Sequence, residues 1–399
     1  MRITDPEANR LSVLKAIRRA EPVARTELVS LTGLNTGTIT EIVGDLVRRK
    51  ALLETKSPAA GRGRPRVQLY LNPEAGLVVG AFLLPTSELS VEISNARGDR
   101  LYALSTPTVR SPTIQAWAQQ IGDIIDATIV SSPYPRERIR RVGVALPAVI
   151  DSISGVVHWL QTYPLESVAV GAIIESRVGL PITVDHSVNV IARAEHWFGE
   201  DRQVDDFSMV AVGHGLGLAE YVNGALKTGA HGINSEFAHA KVARADEISC
   251  TCGGKGCLVT YASAYGVVQR TAAARGLPRP RLRDVFSLFQ SFTADARSGE
   301  ATATAAFNLA GQMLGVGVAN LINTSDPARV LVLVHDPNLA ELVEPSFQTS
   351  VQENTLPALH GRAPVDFRIA EEARYSHGAA ALVLEQMYRA PREAAPPKT

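Results

Sequence analysis

The sequence predicts an α/β fold in which a basic N-terminal winged helix-turn-helix domain precedes a two-lobed domain of alternating strands and helices. Two changes along the chain indicate this division. Residues 1–70 carry 13 Lys and Arg against 7 Asp and Glu, a net charge of +6, whereas the rest of the chain carries −6. Helical periodicity dominates before residue 50, and strand patterns alternate with helical ones after Asn72. A basic domain of this kind indicates a polyanionic partner.

The N-terminal residues predict three helices. Apolar residues at helical spacing indicate a first helix over residues 8–19. Thr26 is placed to cap a short second helix that Gly33 ends. Asn35 or Thr36 can cap a third helix. This third helix has an apolar stripe at i, i+3, i+4, i+7 and i+8, formed by Ile39, Ile42, Val43, Leu46 and Val47.

The third helix and the segment after it are the predicted DNA-binding surface. The first turn of the helix offers short polar side chains for phosphates and base edges: Asn35, Thr36, Thr38 and Thr40. Residues 52–55 and 67–71 alternate as the strands of a wing, and its tip carries three arginines suited to a narrow minor groove: Arg62, Arg64 and Arg66. The alternative is an ordinary three-helix bundle with a solvated basic loop. The combination of turn, helix start and wing favours a DNA-binding domain of residues 1–72.

Residues 73–390 predict an α/β domain in two lobes, and residues 391–399 a loose tail. The predicted strands cover residues 77–83, 89–94, 142–146, 182–184, 207–212 and 330–334. The predicted helices cover residues 113–130, 170–178, 189–198, 301–323 and 379–388. Asn223 and Gly224 are expected to turn a hairpin. A cleft between two lobes is where ligands usually bind.

All three cysteines of the chain lie within eight residues: Cys250, Cys252 and Cys257. They could be a redox trio or buried small hydrophobic residues. The glycines between them would let a tight loop direct three sulfurs at one point, and His239 lies upstream as a fourth donor. One His with three Cys is a common structural zinc set. We therefore expect one structural zinc per chain.

The composition also bears on where the protein works. No apolar signal segment follows Met1, and no run of about 20 apolar residues is expected to span a bilayer. We expect a cytoplasmic protein without a membrane partner, and in the cytoplasm clustered cysteines are more often metal ligands than disulfides.

The motifs SEFAH (235–239) and CTCGGKGC (250–257), behind a winged helix with a GRGRP tip, resemble the ROK family. They resemble its DNA-binding branch, which includes xylose and N-acetylglucosamine repressors. The resemblance implies an actin-like (ribonuclease H-like) fold for residues 73–390 and a zinc held by the His and Cys residues named above. It also implies that Glu236 hydrogen-bonds a sugar hydroxyl and that His239 contacts the sugar while its other ring nitrogen binds the metal.

The chain departs from ROK kinases at three places. Their Asp-x-Gly-Gly-Thr phosphate motif is replaced by GAFLLPTSELS (80–90), and the glycines expected on the adenine side are replaced by VHDP (334–337). The base motif aligns with HSVN (186–189), so that Ser187 stands in the place of the aspartate; Asp185 would be the acid only in a shifted alignment. Serine cannot deprotonate a sugar hydroxyl at neutral pH without its own base. We therefore expect no kinase activity.

The sequence predicts a transcriptional regulator, most simply a repressor of carbohydrate-related genes, that acts as a homodimer or homotetramer on an inverted-repeat operator. The effector residues implied by the resemblance are His186, Ser187, Asn189, Glu236 and His239, with His158, Trp159 and His231 as possible replacement contacts. Four alternatives remain. The chain could be a sugar kinase fused to a DNA-binding domain, or a regulator controlled by a protein partner. It could repress by concentration alone, or the effector residues could survive only for structural reasons.

Overall fold

The computed structural model describes residues 6–56, 67–200, 202–243, 248–371 and 374–387. The helices are α1 (Pro6–Ala20), α2 (Arg25–Thr32), α3 (Thr36–Arg48), α4 (Ile114–Ser131), α5 (Val170–Val178), α6 (Ser187–Phe198), α7 (Val259–Ala262), α8 (Ala264–Ala274), α9 (Val285–Arg297), α10 (Ala301–Ser325), α11 (Pro337–Asn354) and α12 (Tyr375–Met387). The strands are β1 (Val23–Ala24), β2 (Leu52–Lys56), β3 (Val67–Leu71), β4 (Leu77–Leu83), β5 (Glu88–Asn95), β6 (Arg100–Pro107), β7 (Ile139–Leu146), β8 (Val149–Asp151), β9 (Val156–Trp159), β10 (Ile182–His186), β11 (Phe207–Val212), β12 (Leu216–Val222), β13 (Ala225–Leu226), β14 (Val330–Val334) and β15 (Val365–Ile369). The predicted wing-tip residues Arg62, Arg64 and Arg66 and the predicted tail lie outside the described residues.

Residues 6–71 fold as three helices against a three-stranded sheet. The sheet order is β1, β3, β2, and β2 pairs with β3 in antiparallel register as the two strands of the predicted wing. The predicted stripe of α3 is buried at four of its five positions, and Val47 is half-buried. A paired β-ribbon is absent from a simple three-helix bundle, so the architecture of these residues is consistent with a winged helix.

The start of α2 differs from the sequence prediction. Thr26 does not cap this helix, because α2 begins one residue earlier, at Arg25, and Ala24 is its N-cap residue. The Glu27 carboxylate accepts a hydrogen bond from the Ala24 amide at 2.7 Å and so takes over the capping role. At the other end Gly33 ends the helix with φ +67°, a left-handed conformation that favours glycine.

The larger domain contains two five-stranded sheets of the same topology. Their strand orders are β6-β5-β4-β7-β10 and β13-β12-β11-β14-β15. In both sheets the first three strands along the chain form an antiparallel meander, and the last two are added in parallel. Among the elements that the sequence analysis did not predict are the edge strands β6 and β15 and the helices α9 and α11. Edge strands face solvent on more than one side and therefore show weak hydrophobic alternation.

Helices α6 and α12 join the two lobes. Their buried side chains share one hydrophobic core with residues of β4 and β11. Gly378 of α12 lies so close to α6 that a Cβ atom at this position would overlap the carbonyl oxygen of Val190. Interiors packed this closely transmit a displacement of one helix to the other.

Helix α10 corrects one expectation. Its 25 residues are long and apolar enough to cross a membrane, whereas the sequence analysis expected no such segment. In the most apolar 18-residue window, however, 61% of the residues are buried inside the protein. The apolar composition therefore reflects a central position in the second lobe, where α10 packs against α11.

Candidate DNA-binding, metal and effector sites

The first turn of α3 lies at the protein surface. Asn35, Thr36 and Thr40 are exposed, and Thr38 is half-buried. Asn35 caps the helix as predicted, since its Oδ1 accepts a hydrogen bond from the Thr38 amide at 2.9 Å. Thr40 Oγ1 donates to the Thr36 carbonyl at 2.8 Å. The Asn35 side chain is thereby held at the start of the helix.

The four predicted metal ligands lie together. The donor atoms of His239, Cys250, Cys252 and Cys257 all lie within 4.8 Å of one another. Cys250 Sγ is 3.5 Å from His239 Nδ1, and Cys252 Sγ is 3.7 Å from Cys257 Sγ. Bonds of about 2.0–2.3 Å to a tetrahedral zinc separate its ligand atoms by about 3.5–3.8 Å. The cluster therefore has the size and the donor set of a metal site, and the imidazole contributes Nδ1.

Local backbone geometry and one cation complete this cluster. Gly253 and Gly256 have φ of +83° and +69°, and a Cβ atom on Gly256 would overlap the carbonyl oxygen of Ala243. Lys241 Nζ lies 2.7 Å from Cys257 Sγ. Three thiolates around one divalent cation would carry a net negative charge, which this ammonium group is placed to offset. The sequence analysis missed Lys241, because it reaches the cluster through a non-local backbone pairing with Cys257.

The start of α6 carries buried polar atoms without protein partners. His186 is the N-cap residue, and its Nδ1 accepts a hydrogen bond from the Val188 amide at 3.1 Å. Burial lowers the pKa of His186 to about 4, so its imidazole is neutral at physiological pH. Ser187 Oγ and Asn189 Oδ1 are buried and bond to no other described residue. An unsatisfied atom of this kind costs about 1–3 kcal/mol, which favours a polar ligand or water at this place.

Asp185 is directed into the protein rather than toward a ligand. Its Oδ1 accepts hydrogen bonds from Asn189 Nδ2 at 2.8 Å and from the His186 amide at 2.7 Å. Its Oδ2 lies 3.7 Å from Arg193 Nη2. Burial raises the pKa of this carboxyl, although Arg193 and Asn189 lower it. These contacts hold Asn189 in place and leave Asp185 poorly placed to act as a base, so the shifted alignment is not favoured.

The second group of predicted effector residues surrounds the short 3-10 turn Phe237–His239. Burial raises the pKa of the Glu236 carboxyl, although His239 lowers it. The ring of Trp159, on β9 of the first lobe, lies 5.8 Å from the imidazole of His239. The first lobe therefore reaches the His–Cys cluster. His158 instead bonds to Ser167 at the surface, and His231 is exposed. Of the three suggested replacement contacts, only Trp159 lies beside the predicted site.

The structure thus gathers the predicted effector residues into two groups. His186, Ser187 and Asn189 share the start of α6, whereas Glu236 and His239 share the 3-10 turn. Both segments contact β12. Within the described part of the chain, no hydrogen bond joins the two groups directly.

The ROK family profile matches residues 88–386. The chain belongs to the ROK family. This confirms the resemblance that the motifs indicated. The xylose repressor of Caldicellulosiruptor bescii is 23% identical over 396 residues, which cover 97% of this chain and 98% of that protein.

Solved ROK structures show the same fold. A ROK transcriptional regulator, described as a homologue of the E. coli MLC protein, has a TM-score of 0.74 and 23% identity, and the match covers 96% of each chain. A ROK glucokinase from Streptomyces griseus, solved with glucose and AMPPNP, has a TM-score of 0.62 and 25% identity. That match covers 77% of this chain and 99% of the kinase. The family therefore includes regulators and kinases on one fold.

In this ROK protein, the two segments that replace the kinase phosphate and adenine motifs meet through aromatic side chains. Phe82, in the replaced motif on β4, has its ring 4.8 Å from that of Tyr375. Tyr375 Oη lies 2.8 Å from His335 Nδ1, directly after β14. The imidazole of His335 packs on Gly213, at 3.1 Å from the position that a Cβ atom there would take. Burial, followed by His214, lowers the pKa of His335 to about 4.

Asp336, the acidic residue of VHDP, has a structural role. Its Oδ1 accepts hydrogen bonds from the Asn338 amide at 2.8 Å and the Leu339 amide at 3.2 Å. It is the N-cap residue of α11, with Pro337 at the first helical position. The sequence that replaces the expected adenine-side glycines therefore starts a helix.

Proposed function

We propose that this ROK protein is a DNA-binding transcriptional regulator that represses carbohydrate-related genes in response to a sugar or sugar-derived effector. The observation that carries the proposal is the match to ROK regulators over 96–98% of their length. This match includes the N-terminal helices and β-ribbon, within a segment of net charge +6. We further propose that the protein acts in the cytoplasm as a homodimer or homotetramer on an inverted repeat.

The proposed DNA contacts divide into two classes. Asn35, Thr36, Thr38 and Thr40 would approach the major groove from the start of α3. Arg62, Arg64 and Arg66 of the wing tip would enter the minor groove, where negative potential favours guanidinium groups. In this arrangement α3 sets sequence preference, whereas the wing supplies salt-dependent affinity.

The proposed metal is one structural zinc per chain, held by His239, Cys250, Cys252 and Cys257. Four protein ligands fill a tetrahedral shell and leave no position for a reacting water. Zinc bound at His239 Nδ1 would fix the orientation of the imidazole and, three residues earlier, of Glu236. The metal would thereby shape the effector site.

The proposed effector site combines the start of α6 with Glu236 and His239. Buried Ser187 Oγ and Asn189 Oδ1, which have no hydrogen-bond partner among the described residues, support a polar ligand here, since ligand hydroxyls would satisfy them. The Glu236 carboxylate can accept hydrogen bonds from hydroxyls, and the aromatic ring of Trp159 lies 5.8 Å from His239. Such a combination suits a carbohydrate. These atoms favour an effector-controlled regulator over one that represses by concentration alone.

The similarity to a glucokinase keeps a fused sugar kinase as the second candidate. Three features weigh against it: serine at the position of the base, apolar side chains in place of the phosphate motif, and the Tyr375–His335 pair beside that segment. Control by a protein partner is the third candidate, and a sugar response would exclude it as the sole mechanism.

A thermal-shift screen of sugars and sugar phosphates tests the effector site, because a ligand that binds the folded state raises Tm. We expect at least one carbohydrate to raise Tm and to change the affinity for promoter DNA of the protein's own gene. Ser187→Ala should reduce the Tm shift, whereas the exposed Ser176→Ala on α5 should not. A protein that binds DNA and responds to no sugar would overturn the effector assignment.

A further inference from the structure

Helix α6 extends from the proposed effector site to the N-terminal domain. It starts at Ser187, where the buried polar atoms lie, and its last turn contains His196 and Trp197. Twelve residues at 1.5 Å each make a rod of about 18 Å. One helix therefore contacts both functional parts of the molecule.

The far end of α6 is bonded to α1 through two arginines. Arg19 Nη2 lies 2.6 Å from Asp205 Oδ1 and 2.9 Å from His196 Nε2, and Arg19 Nη1 lies 3.3 Å from Asp205 Oδ2. The guanidinium of Arg18 stacks over the Trp197 ring at 3.8 Å. Arg18 Nη2 also donates to the His196 carbonyl at 3.4 Å. Charge-assisted and cation–π contacts thus join α1 of the N-terminal domain to the last turn of α6.

The last turn of α6 is itself held rigidly. His196 is fully buried, and its ring stacks on Tyr221 with centroids 4.4 Å apart. Tyr221 stacks in turn on Phe207 at 4.9 Å. Burial, followed by Arg18 and Arg19, lowers the pKa of His196 to about 4, so a neutral imidazole accepts the Arg19 hydrogen bond. A shift of α6 would therefore move His196 against this stack and change the contacts that the two arginines make with the helix end.

We propose that α6 couples the effector site to the orientation of the DNA-binding domain, with Arg18 and Arg19 as the positioning residues that receive its movement. This rests on the proposed function of the site. The helix is close-packed against α12, which favours displacement as a unit over local bending. A ligand that bonds Ser187 and Asn189 would act on the first turn, and the arginines would transmit the shift to α1.

Hydrogen exchange of the full-length protein without ligand or DNA tests the coupling. Asn189→Leu and, independently, Ser187→Met perturb the start of α6. We expect either substitution to raise amide exchange in residues 9–20 of α1 at least about threefold, while β11 and β14 keep their protection. In the Arg18→Met/Arg19→Met background, the same substitutions should leave α1 unaffected.

The control is Arg97→Met. Arg97 also bonds the N-terminal domain, through Glu21 at 2.9 Å, but it lies in the turn between β5 and β6. In the Arg97→Met protein, Asn189→Leu and Ser187→Met should still raise amide exchange in α1. An unchanged α1 in both single variants, or an equal response with and without the two arginines, would overturn the inference. A failed sugar screen with intact exchange coupling would overturn only the effector assignment.

Discussion

The hydroxyl of Tyr375 and Nδ1 of His335 lie 2.8 Å apart and join the first turn of α12 to the end of β14. Tyr375 is almost fully buried and packs on Phe82 of β4 in the first lobe. This contact links the two lobes through side chains at the place where ROK kinases carry phosphate motifs. It gives a structural reason to test whether this protein binds ATP.

No common hexose or amino sugar should be phosphorylated, and ATP should not raise Tm. Ser187→Asp should remain inactive although it restores a carboxylate, because the phosphate and adenine motifs of the kinases are still replaced by 80–90 and 334–337. A coupled assay of ADP release, with an active ROK glucokinase as positive control, measures this. Turnover that Ser187→Ala abolishes would contradict the prediction.

Stability should fall as the pH falls from about 6.5 toward 4. The folded protein holds His186, His196 and His335 with pKa values of about 4, whereas an unfolded histidine titrates near 6.5. The unfolded state then binds more protons than the folded state. Each of these histidines therefore contributes up to about 1.4 kcal/mol per pH unit to the slope of the unfolding free energy against pH.

Denaturant unfolding between pH 7 and 4.5 measures this slope. His335→Asn should reduce the slope by the contribution of one proton, up to about 1.4 kcal/mol per pH unit, because asparagine does not titrate. The exposed His231→Asn serves as the control. Equal slopes for His335→Asn and the unsubstituted protein would show that His335 is protonated in the folded state.

Cys252→Ser should remove zinc and lower Tm by about 5 °C or more, because a structural metal contributes directly to folding. It should also abolish the sugar response, because Glu236 loses its support. Cys252 is exposed, so the substitution leaves no core cavity. Elemental analysis should find one zinc per chain in the parent protein and in the control Lys255→Ala. Freshly purified protein without zinc would show that the cluster has another role.

Arg62→Ala and Arg64→Ala should each weaken operator binding. Each should also reduce the slope of log affinity against log salt concentration by about one or less, since each removes one phosphate-neutralising charge. Arg110→Ala, an exposed arginine of the first lobe, is the control for charge alone. Thr36→Ala should instead change base preference. Titrations at several salt concentrations measure both effects. Unchanged affinity and slope in the two wing variants would make the wing only a linker.

The protein should be a dimer or tetramer at micromolar concentration. One winged helix contacts a short half-site, so specific binding needs two copies spaced by about one or two turns of 10 bp. Sedimentation velocity and footprinting measure assembly and spacing. A monomer that binds one operator tightly would contradict this prediction.

The sequence predicted features that depend on local patterns. The stripe of α3, the helix break at Gly33 and five element ranges with bounds matching the structure follow from spacing along the chain. The His–Cys cluster also followed from spacing, since Cys250, Cys252 and Cys257 lie within one short loop. Local rules failed at Thr26, where Glu27 supplied the cap instead.

Only the tertiary structure decided the relations between distant segments. Lys241 reaches Cys257 through backbone pairing, His335 meets Tyr375 across 40 residues, and Arg19 meets Asp205 across 186. These pairs depend on sheet order and on the packing of α6 and α12 between the lobes, which no spacing along the chain encodes. The sequence therefore determined the candidate ligands and the strongly periodic helices. Three-dimensional packing determined which side chains join the two lobes and which helix connects the proposed effector site to the N-terminal domain.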